Sequence, residues 1–406
     1  MELGFLGSHS DSSLFIRHTP SEITYVLIYV DDILITSSLP QGTDSLLQSL
    51  RSDFAIKDLG NLHYFLGMEA ISTSDGIILS QQRYILDLLR KSNMLEAKPV
   101  KTPMSTAHTL TLLSGDTLTD PSSYRSLVGA LQYLALTRPD ISFAVNKVSQ
   151  FMHRPTSLHL QAVKRILRYL KFTISYGLLF RRSKSRTLQA YSDADWAGCP
   201  DDHKSTGGFC VFLGPNLISW SSRKQRTVAR SSTESEYRTL ATTTAELLWL
   251  QSLLRDLGIF LPSPPTLWCD NIGATYLSAN PAFHARTKHI EIDFHFVRDK
   301  VAAKTLSVRF LSSKDNLADI FTKPTAFSHF SLMRTKLNIV CHLSRLRGRN
   351  SSLDPDGNTS HTKAVCQATT TANKENHLIA TSQATATTYK ETKINPSAPR
   401  IKSCNG

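Results

Sequence analysis

Residues 25–36 read YVLIYVDDILIT, with two adjacent acids, Asp31 and Asp32, inside a strongly apolar run. Nearly every neighbour is β-branched, aromatic or leucine, the composition of a strand buried on both faces, where a bare carboxylate is costly. A strand–turn–strand hairpin resolves half of that conflict: YVLIYV and ILIT pair, and the acids leave the core at the turn. Two readings of the pair then stay open. It is a polar hairpin tip, or it is a seat on a rigid hairpin for a hard divalent cation such as Mg²⁺, which prefers oxygen ligands.

Working outward, DSLLQSLRSDF spaces Leu46, Leu47, Leu50 and Phe54 as one face of a helix. A second hairpin follows in LGNLHYFLGMEAISTSDGIILS, turning at Ser74-Asp75-Gly76, and SQQRYILDLLRKSNM predicts an amphipathic helix that stops before Pro99 and Pro103. Residues 103–121 read as an irregular linker. From Ser122 to about Leu170 the pattern is helical, interrupted at Arg138-Pro139 and Arg154-Pro155. In the last of these helices Lys164, Arg168 and Lys171 fall at i, i+4 and i+7, with Arg165 beside them, while Ile166, Leu167 and Leu170 make a separate apolar stripe. A solvated face explains such a stripe. The further clusters RRSKSR (181–186) and RKQRTVAR (223–230) favour phosphate contact for the set.

A third region starts near Leu188 with the strand patterns TLQAYSDADWAG, GGFCVFLG and LISWSSRKQ. A long helix from about Ser232 to Leu257 follows, then a strand-to-helix junction at TLWCDN, a His-rich helical segment, the strand TLSVRFLSS and a last helix around NLADIFTKP. This order describes a mixed sheet with helices on its faces, so the fold class is α/β and α+β. The expected domains are 1–102, 103–186, 187–330 and a tail at 331–406. Beyond about residue 345 the chain is rich in Thr, Ser, Ala, Asn and Lys and nearly free of aromatics, a composition expected to stay disordered.

With 406 residues the chain can hold two or three cores. Lys and Arg number 46 against 33 for Asp and Glu, a net charge of +13 and a pI near 9.5, which suits a polyanionic partner such as nucleic acid. The six cysteines (Cys199, Cys210, Cys269, Cys341, Cys366, Cys404) form no CxxC pair, which argues against a zinc knuckle or disulfide framework and for a reducing compartment. No apolar run reaches the ~18 residues that span a bilayer, and MELGFLGSHS lacks the features of a signal peptide. An intracellular protein, cytoplasmic or nuclear and without a membrane partner, is expected.

Four acids of the third region stand where strands end or helices begin: Asp193 in YSDADWAG, Glu236 in SSTESEYRTL, Asp270 in LWCDN and Asp319 in NLADIFTK. Singly, each reads as a cap. Together they suggest one acidic cluster able to hold two Mg²⁺ ions about 3.5–4 Å apart, with Mn²⁺ as an alternative. Glu234 sits at the fourth position of a capping box from Ser231, whereas Glu236 falls nearer the stripe of Tyr237, Leu240, Thr244, Leu247 and Leu254 that should face the sheet, so Glu236 is the candidate ligand. Asp195 lies on the same strand face as Asp193 and is an alternative outer acid. His284, His289, Asp293 and His295 make another cluster, of which only His289 and Asp293 are one helical turn apart; packing or substrate contact is favoured there over metal.

YVDDILIT, LGNLHYFLGMEA, YRSLVGALQYLALTRPDISFAV, KRILRYLK, YSDADWAGCPDDHKSTGGFCVFLG, SSTESEYRTLA, LWCDNIGA, ARTKHIEIDFHFVRDK and ADIFTKP together resemble the C-terminal half of a copia-type retrotransposon Pol polyprotein, over roughly residues 5–340. The resemblance implies a truncated reverse transcriptase palm with a helical thumb or connection, then a ribonuclease H domain acting on RNA–DNA hybrids. It assigns metal to Asp193, Glu236, Asp270 and Asp319, and matches Asp31 and Asp32 to two of three polymerase aspartates. The third belongs to a strand upstream of the quoted residues, so polymerisation is not expected of this chain alone, and an upstream reverse transcriptase segment is a candidate partner. A catalytically inactive nucleic-acid-binding remnant is the rival reading.

Overall fold

In the computed structural model residues 3–107, 109–280 and 290–342 are described in full, and residues 361–367 as backbone. The first part is a sheet beginning with β1 (Leu6–Gly7), β2 (Leu14–His18), β3 (Ile23–Tyr29) and β4 (Asp32–Ser37), each pairing antiparallel with the next. Tyr29 stands opposite Asp32, which leaves Val30 and Asp31 as the turn. Val30 takes a φ of +51°, an uncommon conformation for a β-branched residue. Burial alternates along β3 and β4, and Val26, Ile33 and Ile35 pack on Leu46 and Leu47 of α1 (Pro40–Asp53). The expectation of a strand buried on both faces is corrected here: α1 covers the face that carries Val26, and on the other face Tyr25 and Leu27 are half-buried and Tyr29 is 42% exposed. Asp31 is exposed and Asp32 half-buried, so no bare carboxylate enters this core. Phe54, counted with the helical stripe, lies just past the end of α1 and is exposed. Beyond α1 comes β5 (Ile56–Asn61).

The second hairpin supplies β6 (Tyr64–Phe65), β7 (Met68–Thr73) and β8 (Gly76–Ser80), followed by α2 (Gln82–Lys91). Then come α3 (Ser122–Leu134), α4 (Ser142–Ser149) and α5 (Ser157–Phe172). After α5 the segment YGLLFR, expected to belong to a helical region, forms β9 (Tyr176–Arg181) and pairs with β8. Its register is fixed by a partner about a hundred residues away, which no local pattern reveals. Between α3 and α4, Arg138 and Asp140 form a buried ion pair: Arg138 Nε and Nη2 donate to the Asp140 carboxylate at 2.9 and 2.8 Å, and Nη2 also donates to Thr173 Oγ1 at 2.7 Å. The Tyr169 hydroxyl donates to the same carboxylate. Every charge in this network has a partner.

In the third part, β10 (Leu188–Asp195), β11 (Thr206–Leu213) and β12 (Asn216–Lys224) run antiparallel, and α6 (Ser232–Asp256) follows. Next are β13 (Thr266–Cys269), α7 (Ile272–Ala279), α8 (Glu291–Ala302) and β14 (Ser307–Phe310). The strand order is β12-β11-β10-β13-β14, with β13 and β14 parallel to β10, which is the ribonuclease H-like arrangement. On one sheet face Leu188, Ala190, Phe209 and Val211 pack on Tyr237, Leu240, Leu247 and Leu254 of α6. On the other, Cys210, Phe212 and Leu217 join a core that continues through Leu131, Leu134 and Val148 of α3 and α4. The regions expected as separate domains at 103–186 and 187–330 therefore share one hydrophobic interior.

The helix expected around NLADIFTKP is a single 3₁₀ turn at Leu317–Phe321. After it, α9 (Phe327–Lys336) and β15 (Ile339–Cys341) bury Phe330, Met333, Leu337 and Ile339 in the shared core, so the boundary set at 330 falls inside a packed helix. β15 pairs with β9, giving the sheet β15-β9-β8-β7-β6. Within the stretch assigned to the tail, β16 (His361–Gln367) lies in the first sheet between β4 and β5. Residues 343–360 and 368–406 lie outside the described residues. No helix among the described residues is long and apolar enough to cross a membrane.

Candidate metal centre

Central strand β10 carries Asp193, which pairs with Gly208 of β11. The two adjacent glycines of that strand explain how other elements reach it. A Cβ on Gly207 would meet Thr239 Oγ1 of α6 at 2.5 Å, and one on Gly208 would meet Phe321 Cβ of the 3₁₀ turn at 2.6 Å. Lacking side chains, they let the helix bearing Glu236 and the turn bearing Asp319 close in from neighbouring elements. Cys269 of β13 stands opposite Ser192 of β10, so Asp270, one residue on, leaves its strand beside Asp193.

Each acid is fixed by local chemistry. Ser231 caps α6, its hydroxyl accepting from the Glu234 N–H at 3.2 Å. Glu234 accepts from the Arg230 N–H at 2.7 Å and pairs with Arg238 at 2.5 Å, so its carboxylate holds the helix start. Glu236, two residues on, points to the sheet and accepts from the Ala194 N–H at 3.2 Å. Asn271 caps α7 through the Ala274 N–H at 2.9 Å. Asn316 accepts from the Ala318 N–H at 3.0 Å and donates to the Ser192 carbonyl at 3.0 Å, which staples the Asp319 turn to β10.

One oxygen each from Asp193, Asp270 and Asp319 lie within 4.8 Å of one another, and ligand atoms of Glu236, Cys269 and Asp270 form a second such group. Asp270 belongs to both. Asp193, Glu236 and Asp319 are buried and Asp270 is half-buried. Burial, reinforced by the neighbouring acids, pushes Asp193 up to about 6 and Glu236 up to about 9, and burial also raises Asp319 against the pull of Lys323. Asp195 is pushed up to about 7 by burial, but its carboxylate accepts from the Thr206 N–H and stands in neither group.

Two partners were not read from the sequence. Lys323 Nζ lies 3.0 Å from Asp319 Oδ1 and 3.8 Å from Asp193 Oδ2, and the Thr322 hydroxyl donates to Asp193. The i, i+4 spacing of Asp319 and Lys323 was a legible signal for the first. The donor set fits a hard cation. Asp319 Oδ1 is buried without a hydrogen-bond donor in good geometry, and among the described residues the cation paired with the four carboxylates is Lys323, which meets Asp193 and Asp319. The donors are oxygens except for the Cys269 thiol, whose pKa burial pushes up, which favours Mg²⁺ or Mn²⁺ over a thiophilic metal.

The other candidates fare differently. Asp31 and Asp32 are at the hairpin tip, and among the described residues no third potential ligand joins them. In the basic stripe, Arg165 donates to Thr102 Oγ1 at 2.8 Å and Arg168 to the Lys98 carbonyl at 2.6 Å, so both hold the segment 98–102 against α5, while Lys164 is exposed and Lys171 half-exposed. His284 and His289 lie outside the described residues. Asp293 is on α8, with its pKa raised by burial, and His295, two residues on, lies about 200° round the same helix, so the two do not share a face.

Residues 1–106 match the family described as reverse transcriptase (RNA-dependent DNA polymerase). The chain is 55% identical over 340 residues to the Retrovirus-related Pol polyprotein from transposon RE1 of Arabidopsis thaliana, covering 84% of this chain and 23% of that protein. It is 35% identical over 249 residues to the putative transposon Ty5-1 protein of Saccharomyces cerevisiae, covering 61% of this chain and 81% of that one. The chain belongs to the copia-type retrotransposon Pol family. It spans about a quarter of the length of the Pol polyproteins it matches. Among solved structures, the foamy viral protease-reverse transcriptase in complex with RNA/DNA hybrid aligns over 74% of this chain and 37% of that one, at 13% identity and a TM-score of 0.39, too slight a likeness to add to the strand order. This copia-type segment thus joins a reverse transcriptase part to a ribonuclease H-like part.

Proposed function

We propose that the ribonuclease H-like part hydrolyses the RNA strand of RNA–DNA hybrids, with two Mg²⁺ ions held by Asp193, Glu236, Asp270 and Asp319. The observation that carries this reading is the proximity of the acids: one oxygen each from Asp193, Asp270 and Asp319 lie within 4.8 Å of one another and Glu236 stands in a second such group with Asp270, so these four residues would hold the cations. What bound Mg²⁺ supplies there is activation of water and stabilisation of the leaving oxygen of a phosphodiester. The chain's own residues do the rest. Glu236 is anchored by the Ala194 N–H, Asp193 by Thr322, and Asp319 by the Asn316 staple, so the carboxylates are aimed before substrate arrives. Lys164 and Lys171, with the clusters at 181–186 and 223–230, are proposed to track the phosphate backbones, and contact with a 2′-hydroxyl would distinguish RNA from DNA. Polymerisation is not proposed for this chain alone, because among the described residues no third acid joins Asp31 and Asp32.

The test is cleavage of a labelled hybrid by the full chain. Asp193→Asn is expected to lower Mg²⁺-dependent cleavage by about a hundredfold or more while hybrid binding persists. Undiminished cleavage by that variant would sink the assignment. A second reading, an idle nucleic-acid-binding remnant, is favoured by Lys323, which already neutralises part of the cluster. That reading expects no cleavage at any Mg²⁺ concentration, with hybrid binding that falls steeply with salt.

A further inference from the structure

β4 and β5 do not pair with each other. Between them runs β16, antiparallel to both: Thr362 stands opposite Thr36, Val365 opposite Ile33 and Cys366 opposite Asp32 on one side, and Cys366 opposite Lys57 and Gln367 opposite Ile56 on the other. Neighbouring strands lie about 4.7–4.9 Å apart, so β4 and β5 flank a gap one strand wide. Helix α1 contacts β4, β5 and β16 alike, so the floor beneath the gap is part of the same core. Left empty, the gap would present two facing rows of unpaired N–H and C=O groups over an apolar floor, an arrangement that natural sheets avoid. The occupant does not come from the adjoining chain. It arrives from beyond β15, across the whole ribonuclease H-like part.

We infer that the β4–β5 gap is a strand-accepting site for one extended peptide segment, and that residues 361–367 are its occupant in cis. The recognition chemistry is main-chain hydrogen bonding on both edges at once, which demands a proline-free run of about seven residues and little else of its sequence. HTKAVCQ meets that demand and includes the β-branched Thr362 and Val365. A tethered occupant has the advantage of high effective concentration, so a second segment in trans must displace it. The residue at position 366 stands opposite Asp32, and here it is a cysteine. Self-filling therefore completes the sheet beside the YVDD tip without bringing a further carboxylate to it.

Hydrogen exchange on the full chain tests this. Residues 361–367 are expected to show protected amides in the unaltered protein, and rapid exchange there overturns the inference without any variant. Ala364→Pro removes an N–H and places a ring in a central strand. It should lower protection about tenfold or more at the β4 and β5 amides that face the gap, while the β3–β4 pairs and β10–β13 keep theirs. Thr371→Pro, four residues past the strand, should change nothing. Adding the free peptide HTKAVCQ to the Ala364→Pro chain should restore protection in β4 and β5. Unchanged protection in that variant, or no recovery with peptide, would overturn the proposal.

Discussion

Two buried acidic groups, about one helical region apart in sequence, are treated in opposite ways. Asp140 is enclosed with Arg138, whose guanidinium meets it twice, and Tyr169 and Thr173 complete the network. Asp193, Glu236, Asp270 and Asp319 crowd together, and among the described residues the ammonium that pairs with them is that of Lys323. Although burial opposes it, Arg138 keeps the Asp140 carboxyl low, whereas burial and mutual repulsion drive Asp193 and Glu236 up. Burial alone thus does not distinguish a structural acid from an acid of a candidate metal centre. The distinguishing feature is whether the fold provides the countercharge or leaves it to be supplied.

The comparison can be broken most forcefully at Asp140. Asp140→Ala strands Arg138 in the core and is expected to cost about 3–5 kcal/mol in denaturant unfolding, whereas Asp193→Asn should leave metal-free stability unchanged or raised. Equal losses from the two variants would erase the distinction. Next in size is the response to cation: Mg²⁺ at a hundredfold excess over its Kd should stabilise the chain by about 2.7 kcal/mol, and Asp193→Asn should largely abolish that gain in thermal melts.

The pH dependence should carry opposite signs in the two regions. Glu236 is raised from 4.5 to about 9 and Asp193 from 3.8 to about 6, so the folded state holds extra protons between those values. Their contribution is fully present below about pH 4 and is lost as pH rises toward 9, by linkage. Asp140 is lowered below 3.8, so its contribution is present above that value and lost on acidification. Melting Glu236→Gln without metal across pH 5–9 should flatten the alkaline loss, and a slope identical to that of the unaltered chain would contradict the pKa assignment. The smallest effect is expected at Lys323. Lys323→Gln should raise Mg²⁺ affinity severalfold in calorimetry by removing a competing cation, and weaker binding would instead make the lysine a partner in holding the ion.

What could be read from the sequence was local. The span of α6 followed from its cap at Ser231 and its stripe of leucines, and the turn of the first hairpin from two acids that cannot be buried bare. The convergence of four acids was legible as an expectation, because each stands at a strand end or helix start. What escaped depended on distant partners. β9 reads like any short apolar run until β8 and β15 pair with it. YVLIYV reads as doubly buried because its sequence does not say that α1 covers only one side. The paired glycines at 207 and 208 carried a signal, since adjacent glycines in a strand mark close approach from both faces, but not the identity of what approaches.

The common interior has a practical consequence for anyone wishing to isolate the ribonuclease H-like part. Cutting the gene at codon 187 would strip α3 and α4 from Phe212 and Leu217, and stopping at 330 would remove Met333, Leu337 and Ile339 as well. Such a fragment would carry a greasy wound on the side of its sheet opposite α6 and would be a candidate for inclusion bodies rather than assays. Copia-type segments of this build are better handled whole, because a substitution in α3 or α4 that disturbs the shared interior also reaches the sheet that carries Asp193.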